Sequence, residues 1–84
     1  MLSMSQTETA ILGALTVQPM TGYQVRTSIT EVLGHFWQES FGQIYPALNR
    51  LVEQGLISAE PGARASSRVF RITGAGRVEL RSRL

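Results

Sequence analysis

Amide and guanidinium side chains recur along one side of the segment from Ser40 to Ile57, and such groups are suited to hydrogen bonding with base edges. Gln and Asn can pair with adenine, and Arg with guanine, in the major groove of DNA. On a helical wheel of about 100° per residue, the main apolar residues fall within an arc of about 100°. These apolar residues are Ile44, Leu48, Leu51 and Val52. The sequence therefore predicts a helix that buries one face and can contact DNA with the other.

The candidate DNA contacts on this helix favour its N-terminal half, the end that approaches base edges in helix-turn-helix proteins. They are Ser40, Gln43, Tyr45, Pro46, Asn49 and Arg50. Pro46 or Ala47 can touch a thymine methyl group, whereas Glu53 is expected to lie outside the groove. Tyr45 lies on the flank, where its hydroxyl can reach a phosphate or its ring can pack on the core. The alternative for the whole face is an ordinary solvated helix surface.

A second basic element follows this helix. Residues 56–60 alternate weakly in polarity, and residues 68–72 are rich in branched and aromatic side chains, so the two stretches predict a β-hairpin. Arg64 and Arg68 bracket its turn, where they can contact the minor groove or adjacent phosphates. The alternative is that they provide only surface charge. Arg71 alternates with apolar positions and is expected to brace the hairpin.

The charges are unevenly distributed along the chain. Residues 1–60 carry two arginines and five glutamates, a net charge of −3, whereas residues 61–84 carry six arginines and one glutamate, a net charge of +5. There is no lysine, so every positive side chain is a guanidinium, which suits phosphate and guanine. The overall charge of +2 thus conceals a basic C-terminal third, as expected when one surface contacts a polyanion.

Composition argues against other classes of function. With no cysteine, no aspartate, no lysine and one histidine, the chain has few groups from which to build a metal site or a catalytic acid–base pair. We therefore expect no enzyme activity, no metal and no cofactor. No apolar run reaches the roughly 18 residues of a membrane span, and no signal-peptide pattern opens the chain, so we expect a cytoplasmic protein without a membrane partner.

The predicted elements form one domain over residues 1–84. Three helices are expected to begin where Ser or Thr precedes Glu or Gln by three residues, a capping-box pattern. These pairs are Ser5 with Glu8, Thr21 with Gln24, and Ser40 with Gln43. Because Pro46 disfavours a regular first turn, the regular part of the third helix is expected to begin nearer Gln43. The helices are expected to end before Pro19, at Gly34 and at Gly55, and a last helix is expected to start near Thr73 and to be incomplete at residue 84. The fold class is therefore mainly α with a small β-hairpin, a winged helix-turn-helix in the order α-α-α-β-β-α.

The chain resembles the PadR-like family of bacterial transcriptional regulators over nearly its whole length. The most specific part is the Tyr-Pro-Ala-Leu stretch ahead of Gly-Leu-Ile. The matching residues are Ile11-Leu12-Gly13, Pro19, Gly22-Tyr23, Phe36-Trp37, Gly42, Ile44-Tyr45-Pro46-Ala47-Leu48, Arg50-Leu51, Gly55-Leu56-Ile57, Arg71-Ile72-Thr73 and Ala75-Gly76. Ala65, Ser66 and Ser67 stand at the tip of the wing, where this family is usually richer in Arg and Lys, so fewer phosphate contacts are expected.

The resemblance implies a winged-helix repressor that forms a homodimer through its C-terminal helix and releases DNA when a small effector binds. The leading hypothesis is sequence-specific binding to double-stranded DNA at a palindromic operator. The alternative is a winged-helix module that docks on a protein partner without specific DNA binding. The net negative charge of residues 1–60 favours that alternative.

Overall fold

The computed structural model describes residues 5–33, 42–61, 64 and 66–83 of the 84-residue chain. The elements in these ranges are α1 (Gln6–Val17), β1 (Met20–Thr21), α2 (Gly22–Leu33), α3 (Ile44–Glu53), β2 (Ile57–Ala59), β3 (Val69–Ile72) and α4 (Gly74–Ser82). The strands form one antiparallel sheet in the order β1-β3-β2. The predicted fold class, mainly helical with a small wing, is confirmed.

Two of the three predicted capping boxes start helices as expected. The Glu8 amide donates to Ser5 Oγ at 3.1 Å, and the Ser5 amide donates to Glu8 Oε1 at 3.3 Å. The Gln24 amide donates to Thr21 Oγ1 at 3.1 Å, and the Thr21 amide donates to Gln24 Oε1 at 2.8 Å. Each box satisfies two backbone donors that a helix start would otherwise leave unpaired. These short sequence signals therefore fix the starts of α1 and α2.

The start of α3 is irregular, as expected. Ser40 and Gly34 lie outside the described residues, so the third predicted box and the predicted end of α2 have no structural description. A short 3₁₀ turn at residues 42–43 precedes the regular helix, whose N-cap Gln43 makes no side-chain capping bond. Pro46 is the third residue of α3, within the first turn. Its missing N–H costs little there, because amides in that turn have no partner within the helix.

Gly55 ends α3 in a Schellman motif. Its φ of 75° lies in the left-handed region, which favours glycine. The Gly55 amide donates to the Val52 carbonyl at 3.0 Å, and the Leu56 amide donates to the Leu51 carbonyl at 3.0 Å. The chain therefore leaves α3 sharply and enters β2 two residues later.

The sheet has one strand more than the predicted hairpin. β1 pairs with β3, Met20 opposite Phe70 and Thr21 opposite Val69. Strand β2 pairs on the other side of β3, with Ile57 opposite Ile72. A strand of two residues is too short to show an alternating pattern, and Thr21 also caps α2. At Met20–Thr21 the sequence therefore predicted only the start of a helix.

The core draws buried residues from every described helix and strand except α4. Its buried apolar residues are Ile11, Leu12 and Leu15 from α1, Met20 from β1, Val25 and Ile29 from α2, Ile44, Ala47, Leu48 and Leu51 from α3, Ile57 from β2 and Phe70 from β3. Phe70 is fully buried in the central strand. Since aromatic side chains bury a large apolar area, Phe70 contributes strongly to the packing of the sheet against the helices.

Helix α4 packs closely on the turn that follows α3. Its N-cap Thr73 accepts a hydrogen bond from the Gly76 amide at 3.0 Å and donates one to the Gly55 carbonyl at 2.7 Å. Gly76 is buried, and a Cβ atom placed there would collide with the Leu56 carbonyl oxygen and lie 2.7 Å from Ile72 Cγ1. The glycine is therefore required for this contact.

Gly76→Ala is expected to destabilise the domain by about 1–3 kcal/mol, because the added methyl group must displace backbone. The matched control is Gly74→Ala in the same helical turn, where a Cβ meets nothing within 4 Å. That change is expected to be neutral or to stabilise by about 0.5–1 kcal/mol, through the lower entropy of the unfolded chain. Urea unfolding of both variants measures the difference, and equal stability of the two would contradict the packing argument.

Candidate nucleic-acid interface

One face of α3 is free of the core and carries polar side chains. Gln43, Pro46, Asn49, Arg50 and Glu53 are all exposed, as the helical wheel predicted. The opposite face is held by four residues that are fully buried, Ile44, Ala47, Leu48 and Leu51. A helix fixed on one side in this way presents the other side without freedom to rotate.

The suggestion that Ala47 touches a thymine methyl group is wrong. Its side chain is fully buried. Ala47 follows Ile44 by three residues and precedes Leu51 by four, and both spacings place it on the same side of the helix as those core residues. The buried arc of α3 is therefore wider on this side than the four largest apolar residues indicated.

Tyr45 occupies the flank of α3, half-buried and packed against the core. Of the two alternatives for Tyr45, packing of its ring on the core is thus observed. A contact between its hydroxyl and a phosphate stays a prediction, as does DNA contact by the exposed residues of α3. Ser40, the first residue of the predicted set, lies outside the described residues.

Arg50 is tied to α1 through an ion pair. Its Nε lies 3.9 Å from Glu8 Oε2, with the Arg50 side chain 45% exposed and the Glu8 side chain 9% exposed. Glu8 is also the acidic member of the capping box that starts α1. Pairing through Nε leaves the two terminal amino groups of the guanidinium as further donors. Sequence reasoning missed this contact because the two residues are far apart in the chain.

The two wing arginines differ in how firmly they are held. Arg64 is exposed, and its carbonyl accepts hydrogen bonds from the amides of Ser67 and Arg68 at 3.1 and 3.0 Å. Arg68 is half-buried, its Nε donates to the Glu60 carbonyl at 3.4 Å, and its guanidinium carbon lies 6.0 Å from the centre of the Phe70 ring. Arg68 therefore lies along the base of the wing, and Arg64 stands at the turn. Residues 62, 63 and 65 lie outside the described residues.

Arg71 braces the hairpin, as expected. Its Nη2 donates to Glu60 Oε1 at 3.1 Å, an ion pair that joins β3 to the residue after β2. Both side chains are 54% exposed, so solvent screens the pair and its contribution to stability is at most about 1 kcal/mol. The pair nevertheless places a carboxylate beside Arg71, so the charge of this arginine is partly neutralised.

The wing is attached to the start of α2, a contact that sequence reasoning also missed. The Gly22 amide donates to the Arg68 carbonyl at 3.2 Å, and the Tyr23 amide donates to the Ser66 carbonyl at 3.1 Å. A helix start always has amides in need of acceptors, but the sequence does not show which distant carbonyl supplies them. Tyr23, 61% exposed, stands at this junction.

Of the predicted contact residues that the structure describes, Gln43, Pro46, Asn49 and Arg50 thus lie on the outer face of α3, Tyr45 lies on its flank, and Arg64 and Arg68 lie at the wing. No group of three or more potential metal ligands occurs among the described residues. In the same part of the chain, no helix is long and apolar enough to cross a membrane.

The chain is similar in sequence and fold to regulators of transcription. The chain is 34% identical over 74 residues to the negative transcriptional regulator PadR of Bacillus subtilis (strain 168), a match that covers 84% of this chain and 41% of that protein. It superposes on the crystal structure of Bacillus subtilis PadR in complex with operator DNA with a TM-score of 0.73 and 32% identity, over 89% of this chain and 44% of that one. A PadR-like transcriptional regulator from Bacillus cereus gives a TM-score of 0.79 and 29% identity, over 96% of this chain and 47% of that one.

The chain therefore spans less than half the length of these relatives. The model of the PadR-like family of transcriptional regulators matches residues 11–82, which include every described helix and strand except the first residues of α1. That family consists of transcriptional regulators and not of enzymes. The protein belongs to the PadR-like family of transcriptional regulators.

Proposed function

We propose that this chain is the DNA-binding domain of a sequence-specific transcriptional repressor. The observation that carries the proposal is the outer face of α3, where amide and guanidinium groups are exposed on a helix whose other face is fully buried. A rigid helix of this kind fits the major groove of DNA, where such groups can hydrogen bond to base edges. The likeness to a PadR solved with operator DNA supports the same function. Because operator DNA lies in the cytoplasm, the proposal places the protein there as well.

The proposed base contacts are made by α3. Gln43 lies just before the first turn of α3 and Pro46 lies within it, and these two residues are proposed to enter the major groove deepest. Asn49 and Arg50 follow one turn later. Asn49 suits adenine, and Arg50 suits guanine through its two terminal amino groups. Ser40 and the Tyr45 hydroxyl are proposed to contact phosphates at the edge of the groove, where they fix the register of the helix.

The proposed backbone contacts are made by the wing. Arg64 and Arg68 contact phosphates or the minor groove beside the site of α3. The bonds from the Gly22 and Tyr23 amides to the wing fix its base relative to α2, so helix and wing approach DNA as one unit. These contacts add affinity that is independent of sequence and sensitive to salt.

A homodimer that binds a palindromic operator completes the proposal. Two apolar side chains are exposed and could be covered by a second subunit, which supports dimerisation. They are Val78 on α4, 59% exposed, and Val17 at the end of α1, 78% exposed. Dimerisation through the C-terminal helix would place two copies of α3 in successive major grooves, about 34 Å apart. Release of the operator by a small effector is the remaining part of the proposal, and it requires a site coupled to this dimer.

Arg50→Ala is expected to relax base preference at one position of each half-site, at a cost of about 1–3 kcal/mol in discrimination. Selection of binding sites from a random duplex library, performed with wild type and variant, measures the change. The matched control is Arg77→Ala, which removes an exposed arginine from α4 and is expected to leave the selected sequence unchanged. An unaltered sequence profile for the Arg50 variant would exclude this residue as a base contact.

Arg68→Ala is expected to weaken binding to every sequence and to lower the slope of log K against log salt by about one. Arg71→Ala serves as the control, since it removes the same charge from the same hairpin but from an arginine already paired with Glu60. Its slope is expected to change by less. Fluorescence anisotropy at several salt concentrations measures both slopes, and equal slopes for wild type and the Arg68 variant would rule out the phosphate contact.

A further inference from the structure

We propose that Glu8, at the start of α1, is a positioning residue that directs the guanidinium of Arg50 and so contributes to base preference without touching DNA. The inference rests on the proposed base contact by Arg50. Glu8 lies on a different helix from the one that is proposed to enter the groove.

The contacts of Glu8 divide between its two carboxylate oxygens. Oε1 accepts the Ser5 amide at 3.3 Å within the capping box, and Oε2 lies 3.9 Å from Arg50 Nε. The side chain is only 9% exposed. A nearly buried carboxylate requires polar or charged partners, because burial of an unpaired charge is costly. Ser5 and Arg50 supply one partner for each oxygen.

Glu8 is a fixed point, whereas Arg50 on its own is flexible. The capping box locks the Glu8 side chain to the first turn of α1, and α1 packs directly on α3 through the core. Arg50 is 45% exposed and has a long side chain with many rotamers. An anchor at Nε restricts those rotamers before DNA binds, so less conformational entropy is lost in the complex. The terminal amino groups remain available for the O6 and N7 acceptors of guanine.

The carboxylate also reduces the attraction of Arg50 for phosphate. Without Glu8, the guanidinium would be free to contact the backbone of any sequence, which raises affinity without raising specificity. Loss of the charge on Glu8 should therefore have two opposite effects. Discrimination between bases falls, and affinity for unrelated DNA rises. Damage to the fold would instead weaken binding to all DNA.

Glu8→Gln separates these effects from the capping role. A glutamine at this position of a capping box still accepts the Ser5 amide, has nearly the same size and carries no charge. The helix start is therefore expected to survive, with a thermal midpoint within a few degrees of wild type. Glu8→Asp is the second variant, because it keeps the charge and shortens the reach towards Arg50 by one methylene group.

The experiment compares wild type, Glu8→Gln, Glu8→Asp, Arg50→Ala and the double variant Glu8→Gln/Arg50→Ala. Each is used to select sites from a random duplex library and is then titrated against scrambled duplex at several salt concentrations. We expect Glu8→Gln to relax preference at the same base pair as Arg50→Ala, by about fivefold or more in discrimination. It should also bind scrambled DNA more tightly, with a salt slope steeper by up to about one. The double variant should show the sequence profile of Arg50→Ala alone.

The second variant separates positioning from charge. Glu8→Asp is expected to relax the same base pair without tighter binding to scrambled DNA, and this result stands even if the glutamine variant does not fold. The positioning role would be overturned if the Glu8 variants that fold select the same sequences as wild type while Arg50→Ala selects a relaxed sequence. That result would leave the proposed function intact. Relaxation at a different base pair would also overturn it. Failure of the proposed function itself appears in the wild type, as equal binding to selected and scrambled DNA.

Discussion

Strand β3 holds both ends of the segment that carries the candidate interface, and the rest of the structure depends on this pairing. Strand β1, immediately before α2, pairs with one edge of β3, and strand β2, shortly after α3, pairs with the other. Phe70 of β3 is fully buried beneath the helices. Since an isolated hairpin is barely stable in water, the wing needs this contact with the helices, and the helices gain from it a defined position relative to the wing.

The polar contacts extend the same constraint to the surface. Amides at the start of α2 donate to wing carbonyls, and Thr73 links the end of α3 to the start of α4. Glu8 joins the start of α1 to Arg50 on the outer side of α3. A domain of this size buries only about 60% of its unfolded surface, so such links matter for the precision of a surface as well as for its stability. The candidate interface is therefore positioned mainly by contacts among the helices and the sheet, on the side of α3 opposite to its exposed face.

Local signals in the sequence predicted much of this fold. The capping boxes at Ser5 and Thr21, the end of α3 at Gly55 and the outer face of α3 each depend on residues within a few positions of one another. Features that depend on distant partners were missed or misjudged. Strand β1 exists only because β3 lies beside it, and Gly76 is required only because the Leu56 carbonyl approaches it. The ion pair between Glu8 and Arg50 likewise joins residues far apart in sequence. The DNA contacts themselves stay predictions, because exposure alone does not identify a binding residue.

The most direct test of sequence-specific DNA binding is a fluorescence anisotropy titration of this chain. The probes are a duplex selected from a random library and a scrambled duplex of the same composition, each titrated at two salt concentrations. We expect the selected duplex to bind more tightly by at least about a hundredfold, the discrimination that two good base contacts provide. Both affinities are expected to fall as salt rises. Equal affinity for the two duplexes would exclude sequence-specific binding by this chain.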